Sequence, residues 1–178
     1  MSNTSQRLKM SILSAMFAVI TGILAQMVIP LPFIPITGQT LAVGLTGTIL
    51  GSRYGALSMF LYLLLGAIGL PVFTEASGGF SIIVGKSGGY IIGFIFAAYI
   101  IGFIIEKTRA SFTIALVANV IGMLVTLLFG VVQLKYVLGI PWDKAMAFGV
   151  YPFLLVGVVK AALASYIGIE VRKRIVKS

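Results

Sequence analysis

Neither cysteine nor histidine occurs anywhere in the 178 residues, and aspartate and glutamate together number only 4. Without thiols or imidazoles the chain has no disulfides, no thiol nucleophile, no imidazole acid–base catalysis and none of the commonest transition-metal ligands. No metal site, no cofactor and no enzymatic centre are therefore expected. Charged residues of either sign make up 10% of the chain, apolar ones 60%, and mean hydropathy is +1.14. That balance excludes an ordinary soluble enzyme and predicts an all-α integral membrane protein, a single membrane domain over residues 1–178.

Hydrophobic runs predict six transmembrane helices, at approximately 10–29, 39–52, 55–70, 88–105, 111–134 and 145–169, the second and third being short. A net charge of +9 is explained by topology rather than by nucleic acid, because the basic residues cluster at chain ends and in connections. Arg7, Lys9, Arg53, Lys107, Arg109, Arg172, Lys173, Arg174 and Lys177 fall on one side, and Lys86, Lys135 and Lys144 on the other. The positive-inside rule then makes the N- and C-termini cytoplasmic and the protein multi-pass in the cell membrane. The first run is long and lacks a small-x-small cleavage site before Pro30, so it is expected to stay as a helix.

Lys160 stands alone within the apolar run Ala145 to Ile169, about 15 Å of helix from Glu170. A lysine near mid-bilayer costs about 2.5–3.5 kcal/mol on insertion scales, so it is expected to face a cavity, a counter-charge or the bundle interior. A backbone carbonyl without any ligand would also satisfy it.

The outer connections are unusual. Ile29 to Gly38 carries Pro30, Pro32 and Pro35 yet is mostly apolar, which predicts a non-helical flap folded back over the bundle. Gln39 and Thr40 open the next run, either capping a helix or facing a ligand. Between Pro71 and Gly89 lie Gly78, Gly79, Gly85, Gly88 and Gly89, which let backbone N–H groups approach a ligand, or simply confer flexibility. Lys86 precedes the helix expected from Gly88, so an anion there would meet a cation and a positive helix end. Asp143 can accept ligand N–H groups or cap the last helix, and Asn119 can bind a ligand or join helices.

Two catalytic look-alikes fail. Gly85-Lys-Ser87-Gly88-Gly89 matches a serine-nucleophile string, but the chain has no histidine base. A P-loop would need glycine where Phe80 stands, and no strand precedes it. What remains is an outward-opening pocket for a small, partly apolar solute with an anionic end or several hydrogen-bonding groups.

Four segments, in order, resemble the BioY family, the biotin-binding S components of energy-coupling factor (ECF) vitamin transporters. They are Pro35-Ile-Thr37-Gly-Gln39-Thr40-Leu; Arg53-Tyr-Gly55-Ala56-Leu with Tyr62-Leu-Leu-Leu-Gly66-Ala-Ile-Gly69-Leu-Pro71-Val-Phe73; Gly85-Lys-Ser-Gly88-Gly89-Tyr90-Ile-Ile-Gly93-Phe94; and Pro152-Phe153 with Lys160 and Ala161. The resemblance spans nearly the whole chain. It implies capture of biotin from outside, with import driven by a separate transmembrane coupling subunit and two cytoplasmic ATPases. It also implies Lys160 on the ureido oxygen, Asp143 or Asn119 on the ureido N–H groups, Tyr90 packing on the ligand, and Lys86 or loop N–H groups such as that of Gly89 on the carboxylate, with Gln39 nearby. The reverse orientation stays open. One departure stands out: the family pattern often has an aspartate three residues before the last-helix lysine, where this chain has Gly157.

On the first helix, Ser11, Ser14, Ala15, Ala18 and Gly22 form a small-residue stripe. In the family resembled, such a stripe docks the coupling subunit; packing within the chain is the other use for it. Gly47, Gly51 and Gly55 form a second run, expected to pack the short second and third spans together. A stand-alone carrier or channel is the competing function, disfavoured because the spans contain no carboxylate except Glu106 and Glu170 at their ends.

Overall fold

The computed structural model describes residues 3–176, so Lys177 lies outside the described residues. In chain order it comprises α1 (Asn3–Ala25), strands β1 (Val28–Ile29) and β2 (Ile36–Thr37), α2 (Gln39–Ala67), a 3-10 turn (Thr74–Ala76), α3 (Phe80–Val84), α4 (Gly88–Lys107), α5 (Phe112–Leu138), α6 (Trp142–Gly149) and α7 (Tyr151–Val176). Among the described residues, five stretches are long and apolar enough to cross a membrane: Thr4–Ala25, Gln39–Ala67, Gly88–Lys107, Phe112–Leu138 and Trp142–Ile175.

The second of these is a folded-back pair of arms rather than a rod. Gly51 has φ 82° and ψ −173°, and a Cβ built on Gly55 would lie 3.3 Å from the Cα of Gly47. Residues eight apart in a straight helix are about 12 Å apart, so the chain reverses at Gly51 into arms 39–50 and 52–67. Both newly created helix ends are satisfied electrostatically. The Glu106 carboxylate accepts from the Ser52 N–H at 2.9 Å and from its hydroxyl at 2.6 Å, at the positive start of the second arm. Arg172 donates to the carbonyls of Thr48 and Ile49, at 3.0 and 3.2 Å, at the negative end of the first. A single glycine thus replaces the connection expected around residues 53 and 54.

The last run also differs from expectation. It divides at Val150 (φ −128°, ψ −59°) into α6 and α7, because Pro152 has no N–H to continue the α6 ladder. Lys160 becomes the tenth residue of a helix starting at Tyr151 and running to Val176. At the other end of the bundle the Lys9 ammonium donates to the Ile175 carbonyl at 3.2 Å, joining the start of α1 to the end of α7.

As the prolines predict, residues 30–35 are non-helical. Antiparallel pairing of Val28 with Thr37 and of Ile29 with Ile36 pins this flap down on the bundle. The core centres on Met59, Tyr62, Phe73, Phe94 and Leu134, whereas Leu124, Leu128, Leu155 and Val159 point outward. An apolar exterior of this kind suits lipid rather than water.

Candidate functional site

Flap, α2 start, the 73–77 loop, α4 start, the middle of α5 and the first half of α7 enclose a cavity of about 330 Å³. Beneath it a second void of about 20 Å³, the volume of one ordered water, shares Thr40, Met123, Thr126, Gly157 and Lys160 with the first. These shared residues are the floor. The mouth is marked by the exposed Glu75 and Lys86, with Ser87 beside them.

Lys160 reaches from α7 to the end of β2, where its ammonium donates to the Thr37 carbonyl at 2.6 Å and the Thr40 hydroxyl at 3.3 Å. A backbone carbonyl therefore satisfies it in part, and it lines the cavity as well. Gln39 is buried and tied on both sides: its Oε1 accepts from the Thr37 hydroxyl at 2.7 Å, and its Nε2 donates to the Tyr62 hydroxyl at 2.5 Å. Tyr62 in turn donates to the Val72 carbonyl at 3.1 Å, so one relay joins the flap to the Gly-rich connection. The Tyr90 ring lies on Gly130 of α5 and forms cavity wall, and its hydroxyl donates to the Gly149 carbonyl at 2.8 Å. Apolar walls come from Phe33, Phe73, Phe94 and Phe153, with Phe33 stacked on Phe148 of α6 at 4.3 Å.

Lys160, Gln39, Tyr90 and Lys86 are thus brought together around one cavity, and three other expected residues are not. Asp143 sits exposed in the first turn of α6 and does not line it, because α6 turns inward through Phe148 and Ala145 instead. Asn119 is buried below the floor, its two Nδ2 hydrogens shared among Ala115 O, Thr48 Oγ1 and Ser165 Oγ at 2.9, 3.0 and 3.1 Å; it joins α5, α2 and α7 and borders only the lower void. Gly89 is buried against the Phe129 carbonyl, where a Cβ would collide, so it permits the α4–α5 crossing rather than presenting its backbone to a ligand.

Other lining residues went unnamed as ligand candidates. Thr126 shares a face of α5 with Asn119 and Gly122, a helical stripe that spacing could have revealed. Glu75, not Asp143, is the acid at the mouth. Its left-handed backbone (φ 59°) and that of Ala76 (φ 51°) are held by Gln26, which donates to the Phe73 carbonyl at 3.0 Å and accepts from the Ala76 N–H at 2.7 Å. Nothing local in the sequence signals that clamp.

The α1 stripe is divided by the bundle. Ser14, Ala18 and Gly22 are buried, Ser14 donating to the Tyr54 carbonyl at 3.0 Å and Gly22 packing on Val72. Ser11 and Ala15 face outward among Ile12, Met16, Val19 and Ile23.

With an aromatic middle, a cationic floor and a polar mouth, the cavity suits a small amphipathic solute. Comparison with known proteins agrees with the sequence resemblance. The BioY family profile matches residues 1–177. The biotin transporter BioY2 of Lactococcus lactis subsp. cremoris (strain MG1363) is 35% identical over 157 residues, covering 88% of this chain and 86% of that protein. The biotin transporter BioY of Thermotoga maritima (strain ATCC 43589 / DSM 3109 / JCM 10099 / NBRC 100826 / MSB8) is 40% identical over 146 residues, covering 82% and 85%. Both relatives are transporters and not enzymes. Among solved structures, the S-component for biotin from an ECF-type ABC transporter aligns with TM-score 0.88 and 30% identity over 97% of this chain and 95% of that one. Matched over residues 1–177 by the family profile and over most of its length by relatives and by fold, this chain belongs to the BioY family.

Proposed function

We propose that this protein captures biotin from outside the cell as the S component of an ECF-type importer. Biotin would occupy the cavity beneath the flap, its apolar rings and chain against the aromatic walls and its polar ends at floor and mouth. The observation that carries this reading is the cavity with Lys160 on its floor, set in a fold that matches the S-component for biotin.

Residence in the cell membrane with six crossings, the arms of α2 counted separately, is supported by the reversal at Gly51 and by the Lys9–Ile175 contact, since an even number of crossings returns both ends to one side. The charge distribution supports the cytoplasm as that side. Energy would come from a separate coupling subunit and two ATPases. The outward face of α1 around Ser11 and Ala15 is the surface on which the coupling subunit docks, small residues allowing close helix approach.

Calorimetric titration of the purified protein tests the reading, with riboflavin and thiamine as controls. Saturable binding of biotin alone is expected. Absence of biotin binding by folded protein would overturn it.

A further inference from the structure

The biotin reading leaves open which end of the ligand lies deep, and the charges around the floor decide it. Lys160 donates to Thr37 O and Thr40 Oγ1, both neutral, which leaves one of its three ammonium protons for the cavity. Among the described residues the ion pair present is Lys173–Glu170, and no carboxylate reaches Lys160. One turn earlier on the same face, Gly157 carries no side chain, and a Cβ there would collide with the sulfur of Met123. The slot from which an α7 acid would neutralise the lysine is therefore filled by a thioether. Glu75, the acid lining this cavity, is exposed at its mouth.

We infer that biotin binds with its carboxylate down, supplying the counter-charge that Lys160 lacks, and with its ureido ring toward the mouth. A partly buried cation at the floor of a cavity walled by Met123, Leu127 and Phe94 gains more from an anion than from a neutral carbonyl, because little water screens the pair. At the mouth Lys86 is exposed, so a carboxylate there would be screened and would gain little. The ureido group needs both donors and an acceptor, and the mouth offers them in Ser87, Lys86 and Glu75. This inference rests on the biotin reading and reverses the orientation first expected from the family resemblance.

The test compares biotin with biotinamide, its neutral primary amide, on wild type and on Lys160→Met and Lys86→Met. Wild type is expected to prefer biotin by about tenfold or more, a charge-assisted contact's worth. In Lys160→Met the ratio of the two affinities should fall close to parity, while Lys86→Met keeps the preference for biotin. Equal weakening of both ligands by Lys160→Met, equal binding of both by wild type, or loss of the preference in Lys86→Met instead, would each overturn the orientation. Should Lys160→Met not fold, wild-type protein decides with biocytin, which extends biotin from its carboxyl group. Biocytin should fail to displace biotin, and displacement within about tenfold of biotin's own affinity counts against the inference. A wild type that binds no biotin at all is a different result, removing the biotin reading and this inference with it.

Discussion

Gln39 shows what a single buried amide does in this site. Its two ends are committed to Thr37 and Tyr62, so Gln39→Ala leaves buried polar groups on the flap and on α2 short of partners. A loss of about 1–3 kcal/mol is expected, read as a lower unfolding temperature in detergent and as faster biotin release. Tyr90→Phe is milder: it removes the donor to Gly149 O and should cost about 1 kcal/mol in unfolding while keeping the cavity wall. Lys160 and Gln39 were legible from the sequence, because a charge or amide in an apolar setting has few affordable environments. The acid was misassigned: Asp143 was the one expected at a ligand, and Glu75 lines the cavity instead, because only the path of the loops decides which acid of the outer connections meets it.

Among the elements, α2 carries the clearest consequence. Gly51 combines a positive φ with close contact to the Glu106 carboxylate, so Gly51→Ala is strained in backbone and in space. A destabilisation of about 1–3 kcal/mol or more is expected in thermal unfolding, with Glu106→Gln giving a smaller loss of about 1–2 kcal/mol from the weakened Ser52 cap. The sequence signalled two short spans packed together through Gly47, Gly51 and Gly55, and Gly55 does lie against Gly47 where the two arms meet. It did not reveal that one residue makes the whole turn, because the glycine's conformation depends on charges from α4 and α7 arriving at that spot. Similarly, the division at Val150 follows from Pro152, but continuous hydropathy concealed it.

For the whole molecule, the proposed assembly places α1 against a coupling subunit through its outward face. Ala15→Trp should abolish co-purification with the coupling subunit and stop uptake while leaving biotin affinity within about twofold, because Ala15 is exposed and does not line the cavity. Equal loss of biotin binding would show that this face supports the bundle instead. Membrane residence, helical architecture, a non-helical flap and the absence of thiol or imidazole chemistry were all determined by the sequence alone. Each follows from composition or from a run of neighbours: lipid demands internally bonded backbone, proline denies helix, and missing side chains cannot react. Which polar groups share the cavity was decided only by tertiary structure. Lys160 meets Thr37 across 123 residues, Asn119 is drawn below the floor by three hydrogen bonds, and Ser14, Ala18 and Gly22 turn inward while Ser11 and Ala15 do not. Those outcomes depend on how helices rotate and cross to satisfy packing and buried donors together, a constraint among distant segments that no local pattern contains.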